Sequence, residues 1–449
     1  MIREISKILR NIYNFFVSIK KIFQRRIILI SIENFNREFP GKLILSKFFA
    51  NEGYIVLLAH KSITRALVSF LPLKNHIYIE KGNRFGSIKY LSRAKKNNLF
   101  IYCFDEEGLM QTDFNTYLKR NHENKTVEII DGVFSWGPFH TTLLKKSGFN
   151  ERQILKTGNT RFDHYLNTKE ELSTNSTKKK GLILICSRFA SANPNKEIKL
   201  NKDKRDGSNQ YIIDSKKMLE RMLKIPRLIR ENGLKNQIIV RPHPSESKKI
   251  WQKACKGLDN VVISCEEPIN KILLKTNVLI HNRCTTAIEG FLFKVKVISY
   301  EPFNLDSPPS PNKDFINSFA THICESDLDL INKLKSNKEI STNYYKKEAN
   351  KFIYNIGSLS SLKIIKIIQK VHPSKINNNL LSILLIIFFL PVIVLHHKTF
   401  QFKNRIFNNK YYLYLKQKNG TIASQKICKL YEKFLNIRLF SRINIFIPF

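Results

Sequence analysis

The sequence predicts an α/β protein of two Rossmann-like domains facing a central cleft. Three observations carry this. Short β-branched apolar runs alternate with helical stretches through most of the chain, as parallel strands covered by helices on both faces require. Residues 166–180 are polar and rich in Lys, Ser, Thr and Asn, with almost no apolar period, and the alternation restarts after them. The 449 residues are 43% hydrophobic, enough for cores in two or three domains.

Residues 1–26 read as an amphipathic basic helix. Ile5, Ile8, Leu9, Ile12, Phe15, Phe16 and Ile19 recur at helical spacing, with Lys and Arg filling much of the rest. Such a helix suits either an anionic bilayer surface or the protein's own body. No uninterrupted apolar core or small-residue cleavage site marks it as a secretory signal. Residues 27–165 form the first domain. Its strands are expected at 27–32 (IILISI), 54–59, 77–80 and 99–104 (LFIYCF), with 127–130 and 132–136 as further candidates. Gly41 opens a helix running to Ala50. The linker is 166–180. Residues 181–335 form the second domain: strands at 182–186 (LILIC), 237–241 (QIIVR), 261–264, 278–281 and 295–300, with helices at 218–232, 269–275 and 285–293. Residues 336–372 are a helical return segment, helical over 343–369. Residues 373–449 are an apolar segment with a basic tail. Its core, LLSILLIIFFLPVIVL at 380–395, makes about 24 Å of helix against a ~30 Å hydrocarbon layer. A short or re-entrant membrane segment, a surface hairpin and a buried helix all fit it.

The formal charge is +40. Such a field attracts anionic lipid or phosphorylated substrates as readily as nucleic acid. Lys is spread along the whole length without aromatic platforms or a recognisable motif, which argues against a nucleic-acid partner. Seven cysteines with no CxxC pair argue against zinc and against a disulfide framework, and so fit a reducing cytoplasm, with the N-terminal helix and residues 380–395 expected to hold the chain at the inner membrane face.

Four segments stand at strand ends, where an open α/β sheet binds ligands. After LFIYCF come Asp105, Glu106, Glu107 and Gly108. Adjacent acids raise one another's pKa unless a cation intervenes, and one of them can take a proton from an acceptor hydroxyl; Gly108 permits a tight turn. A solvated acidic loop is the plain alternative. After QIIV come Arg241, Pro242, His243 and Pro244. The two prolines stiffen the presentation of His243, which can meet a phosphate or protonate a leaving group, while Arg241 offers a fork for an anion. After VLIH come Asn282, Arg283, Cys284, Thr285 and Thr286. The threonines can cap the following helix or, with its free N–H groups, bind an anion; Glu289 lies one turn further in, within reach of ribose hydroxyls. Last, Arg161 and Asp163 in GNTRFD close the first half, and Ser187 and Arg188 open the second; both pairs can line the cleft. His372-Pro373 lacks a strand context and is read as coincidence.

These residues resemble the bacterial surface carbohydrate biosynthesis proteins. More distantly the chain is similar to GT-B sialyltransferases and Kdo transferases that use CMP-activated sugars. The likeness rests on Glu106-Glu107-Gly108, His243-Pro244 and Thr285-Thr286 in that order, with FSWGPFH at 134–140, TGNTRFD at 157–163 and HNRCTTAIEGFLFKVKVISYEP at 281–302. It covers roughly residues 27–335. The resemblance implies a GT-B frame and a metal-independent, inverting transfer of a Kdo- or nonulosonate-type sugar from a CMP-linked donor to a glycan or glycolipid acceptor. It makes an acid of 105–107 the base. His243, Thr285 and Thr286 would hold the departing phosphate. No cofactor beyond the nucleotide sugar is implied. A UDP-sugar or polyol-phosphate transferase on the same frame, or a non-catalytic membrane assembly factor, is the competing expectation.

Overall fold

The computed structural model describes residues 23–83, 85–106, 108, 114–120, 126–164, 181–195, 209–243, 245–267, 269–303, 316–336, 349–377, 379–407 and 444–446. The expected helix over 1–26 lies outside them except for its last four residues, and the expected linker at 166–180 lies wholly outside.

The first half runs β1 (Ile27–Ile32), α1 (Phe35–Asn51), β2 (Ile55–His60), α2 (Lys61–Phe70), β3 (Ile77–Glu80), α3 (Phe85–Lys96), β4 (Phe100–Cys103), α4 (Phe114–Arg120), β5 (Gly132–Ser135), α5 (Pro138–Lys146) and β6 (Ile154–Lys156), then a 3₁₀ turn at Thr160–Phe162. The second half runs β7 (Leu182–Cys186), α6 (Asn209–Glu231), β8 (Ile238–Arg241), α7 (Lys248–Ala254), β9 (Val261–Ile263), α8 (Ile269–Lys275), β10 (Thr276–His281), α9 (Thr286–Leu292), β11 (Lys296–Tyr300), β12 (His322–Cys324) and α10 (Asp327–Lys335). The chain then returns through α11 (Ser360–Val371), α12 (Leu380–Phe407) and β13 (Asn444–Phe446).

Two wholly parallel sheets result, ordered β13-β2-β1-β3-β4-β5-β6 and β12-β11-β10-β7-β8-β9. Each is buried on both faces, which explains why its strands read as unbroken apolar runs. Along β1, Ile27 and Leu29 enter one core while Ile28, Ile30 and Ile32 enter the other. Along β7, Leu182, Leu184 and Cys186 alternate in the same way with Ile183 and Ile185. Helix α11 crosses back to the first domain, where Ile364, Ile365 and Ile368 join its core. Strand β13 extends that domain's sheet along β2.

Several expected elements differ. Residues 126–129 form a turn rather than a strand. Helix α1 starts at Phe35, not Gly41; Asn34 caps it by accepting the Arg37 N–H at 3.2 Å. Gly41 answers a different need, since a Cβ there would lie 2.1 Å from the Thr160 carbonyl oxygen. Helix α6 begins nine residues before the expected 218, and within 349–371 the only long helix is α11. Among the described residues no helix is long and apolar enough to cross a membrane, so a spanning role for 380–395 has no support. Instead Ile383, Ile386, Leu390 and Ile393 of α12 pack onto the first domain's core, against α2.

Candidate functional site

The acidic corner follows β4. Asp105 takes a left-handed backbone, φ 46°, a conformation that non-glycine residues hold only where surroundings enforce it. Its carboxylate is buried. Oδ2 accepts the Tyr117 hydroxyl at 3.0 Å and lies 3.1 Å from His140 Nε2. His140 Nδ1 accepts the Trp136 backbone N–H at 3.2 Å, which leaves the neutral ring's proton on Nε2, directed at Asp105. The Trp136 indole N–H closes the knot on the Asp105 carbonyl at 3.0 Å. Gly108 makes room for it: a Cβ there would sit 2.6 Å from His140 Nε2. Glu106 turns inward too. Lys42 Nζ stands 3.0 Å from its Oε1, and Asn159 Nδ2 is 3.4 Å from its Oε2. Lys42 is fully buried; burial alone would lower its pKa, but Glu106 and Glu38 outweigh that and hold it above the ordinary value. The expected crowding of acids is thus relieved by partners, residue by residue. Glu107 lies outside the described residues.

In the second domain one buried carboxylate organises two loops. Glu246 accepts the Ser187 hydroxyl at 2.7 Å, the Phe189 N–H at 2.7 Å and the His243 N–H at 3.2 Å, so it ties the end of β7 to the end of β8. Burial pushes its pKa up. His243 is exposed. Its Nδ1 accepts the Ser245 N–H at 3.1 Å, so the neutral ring carries its proton on Nε2. Arg241 donates from Nη1 to the Glu267 carbonyl at 2.7 Å. Pro244 lies outside the described residues.

The ends of β7 and β10 meet beside His243's strand. Arg188 donates from Nε to the Asn282 carbonyl at 3.1 Å and from Nη1 to the Tyr211 hydroxyl at 3.4 Å. Burial would raise the Tyr211 phenol; the Arg188 cation and hydrogen bonds from Arg188, Ser215 and Ser191 together outweigh it and bring the pKa down. Arg188, Tyr211, Asp214, Ser215, Asn282 and Arg283 line a small concavity, about 230 Å³ including the solvent in its mouth. Asn282 donates to the Tyr300 carbonyl at 2.8 Å, while its buried Oδ1 has no hydrogen-bond partner. Arg283, left-handed at φ 50°, donates to Glu301 at 3.2 Å. Behind them His281 is fully buried; desolvation, then the Arg188 charge, pushes its pKa down to about 3. Thr285 begins α9 without a side-chain capping bond, and Thr286 Oγ1 lies 3.3 Å from the Cys284 thiol.

The two halves join through the segment 159–163. Asn159, which reaches Glu106, also accepts the Arg161 N–H at 2.8 Å. Arg161 Nη2 then meets Glu289 of α9 at 2.6 Å, and both side chains are buried. Asp163 accepts the N–H groups of Ser360 and Ser361 at 2.8 Å each and the Ser361 hydroxyl at 2.5 Å, capping α11 from outside the helix. Burial lifts its pKa to about 6 against those bonds. An unbroken chain therefore runs Lys42–Glu106–Asn159–Arg161–Glu289, from the acidic corner to the threonine-bearing helix. His372 stacks on Phe100 with ring centroids 3.8 Å apart and meets the Tyr102 hydroxyl at 2.9 Å, a packing role.

Sequence reasoning missed His140, Tyr117, Lys42, Tyr211 and Glu246, and gave Asn159 only as part of its weakest segment. His140 and Asn159 sit inside FSWGPFH and TGNTRFD, which the resemblance had already picked out. Glu246 and Lys42 stand in unremarkable contexts, and only tertiary packing reveals them.

No protein-family model matches the chain, and no curated protein does. Solved structures do. The UDP-GlcNAc 2-epimerase from Neisseria meningitidis bound to UDP-GlcNAc is 12% identical, with 77% of this chain and 99% of that one covered and a TM-score of 0.52. The H444N variant of the wall teichoic acid polymerase TagF is 14% identical over 83% of this chain and 98% of that one, TM-score 0.51. The UDP-GlcNAc 2-epimerase from Methanocaldococcus jannaschii is 14% identical over 77% and 99%, TM-score 0.51. At such identity the likeness concerns the fold: two parallel-sheet Rossmann-like domains in the GT-B arrangement.

Proposed function

We propose that this chain is a glycosyltransferase of surface polysaccharide synthesis that takes its sugar from a nucleotide-activated donor, CMP-linked and of Kdo or nonulosonate type. The observation that carries the reading is the crevice between β7 and β10. The second sheet's strand order reverses there, and open α/β sheets bind ligands outside the carboxyl ends at such a point. Its loops supply Arg188 for an anion, and Asn282 Oδ1, unpartnered among the described residues, for a ligand N–H or O–H; Arg283, which also lines it, is committed to Glu301. A buried acceptor left unmatched costs about 1–3 kcal/mol, which a ligand donor recovers. The concavity is sized for one group of a nucleotide, not the whole donor. The other groups rest on the loops of His243 and Thr285-Thr286.

In the transfer, an acceptor oxygen attacks the anomeric carbon, the bond to the CMP phosphate oxygen breaks, and the configuration inverts. The acceptor's proton goes to a carboxylate. Asp105 and Glu106 spend theirs on His140 and Tyr117 and on Lys42 and Asn159, so we assign the base to Glu107 from its place in the acid run. His243 meets the departing phosphate with its Nε2 proton, and the cation of Arg188 balances the developing charge.

A donor screen tests this. CMP should raise the melting temperature, because a ligand bound only to the folded state stabilises it. Slow CMP release from CMP-Kdo or a CMP-nonulosonate should vanish in His243→Ala. Stabilisation by UDP-sugars or CDP-glycerol without any response to CMP would transfer the assignment to a UDP-sugar enzyme or a polyol-phosphate transferase on the same frame.

A further inference from the structure

We propose that α12 docks in the plane of an anionic membrane leaflet, with its outer stripe among the acyl chains. The proposal stands apart from the assignment of the donor. Helix α12 is apolar on two opposite faces. Ile383, Ile386, Leu390 and Ile393 pack on the first domain. Leu381, Leu384, Phe388, Val392 and Leu395 recur at helical spacing on the other side and stay exposed; Phe388 is 70% and Val392 62% accessible. Phe70, at the end of the helix α2 that α12 packs against, is 75% accessible. A helix that faces water on one side carries polar residues there. Helix α11 is more mixed: Lys363, Lys366 and Lys370 are exposed beside Leu362 and Val371, while Ile364, Ile365 and Ile368 are buried. Contiguous exposed apolar surface like the outer stripe of α12 marks an interaction site.

Charge decides the occupant. From residue 349 to 431 the sequence holds thirteen Lys and Arg and no Asp or Glu. Helix α12 carries Lys398, Lys403 and Arg405 of these and the residues beyond it carry five more, while α11 packs on the opposite face of the first sheet. A second copy of the chain would bring the same cations to the interface and be repelled. An anionic leaflet attracts them, at about 1 kcal/mol per basic residue near its surface, while the stripe enters the headgroup–acyl boundary. One face of α12 is held by its own domain, so the helix meets the bilayer from the side and does not cross it.

Flotation of the full-length protein with vesicles tests this. The protein should float with phosphatidylglycerol-containing vesicles and far less with pure phosphatidylcholine. Alkaline carbonate should release it. The pair Phe388→Asp and Val392→Asp, both exposed, should keep the native circular dichroism and weaken partitioning roughly tenfold or more. The proposal is overturned by a wild-type protein that ignores anionic vesicles or by unchanged flotation of the folded double variant. Retention in carbonate would mean a span and overturn it too. So would a wild-type dimer in vesicle-free solution that the two substitutions split into monomers, which assigns the stripe to a second copy.

Discussion

At the scale of single residues, the candidate site is built from side chains that hold other side chains. Gly108 is the tightest case. Its missing Cβ leaves room for the Asp105–His140 contact, so Gly108→Ala must displace one of them. Overpacking of this kind costs about 1–3 kcal/mol, and denaturant unfolding should register that loss. Glu246 is the counterpart in the second domain. Glu246→Ala strands the N–H groups of Phe189 and His243, and should reduce stability by about 1–3 kcal/mol per stranded group that stays dry, measurable by the same unfolding curve. His243 is different, because it is exposed and its ring accepts the Ser245 N–H within a surface turn. His243→Ala should leave the unfolding midpoint near wild type while turnover falls by about 10²–10⁴, the usual worth of a proton-transferring group. The sequence made His243 legible through its two prolines and the strand before it. It could not reveal that Asp105 is committed to His140, because 35 residues separate them and the contact exists only once β4 and β5 pair.

At the scale of elements, the strands were readable because both sheets are buried on both faces, and continuous apolar runs are what that environment selects. The errors have local causes. Residues 127–130 carry three β-branched residues, Val127, Ile129 and Ile130, yet the backbone turns there to deliver β5 to its place beside β4. Gly41 was read as a helix start and is a contact point with the 3₁₀ turn. Element packing also buries four histidines in neutral form. Desolvation pushes His76, His164 and His372 down to about 4 and His281 to about 3. An unfolded histidine titrates near 6.5. Their stability contribution is thus complete above about pH 6.5 and is lost as pH falls toward about 4, since the unfolded chain then binds more protons. Asp163 acts oppositely. Its folded pKa of about 6 lies above the usual 3.8, so protonation favours the folded state as pH falls through that window. Glu246, whose pKa burial also raises, works with Asp163; the four histidines outweigh the two carboxyls, and the melting temperature should drop between pH 6.5 and about 4.5. A flat profile over that range would refute the neutral burial of these rings.

At the scale of the whole molecule, two domains are held by a small number of buried polar contacts beside an apolar seam. Trp136, Phe139 and Phe162 of the first half belong to the same core cluster as β7, β10 and α9. Within this seam sits the Arg161–Glu289 pair. Removing one member leaves a buried charge uncompensated, at about 3–5 kcal/mol, while replacing both by apolar residues is often near neutral. Arg161→Met should therefore be strongly destabilising, and Arg161→Met with Glu289→Leu should recover most of the loss in equilibrium unfolding. Additive losses would mean that the two do not act as a pair. The two-domain plan was legible from the polar break at 166–180. The return of α11, α12 and β13 to the first domain was not, because nothing in an apolar helix states which of two domains it will cover.

On the proposed function, a donor nucleotide sits in the crevice where β7 and β10 diverge. A crystal of the protein soaked with CMP tests it most directly. The predicted result is phosphate density within hydrogen-bonding distance of the Arg188 guanidinium and His243 Nε2, with a nucleotide donor group on Asn282 Oδ1. Nucleotide bound elsewhere, with this crevice filled only by water, would contradict it.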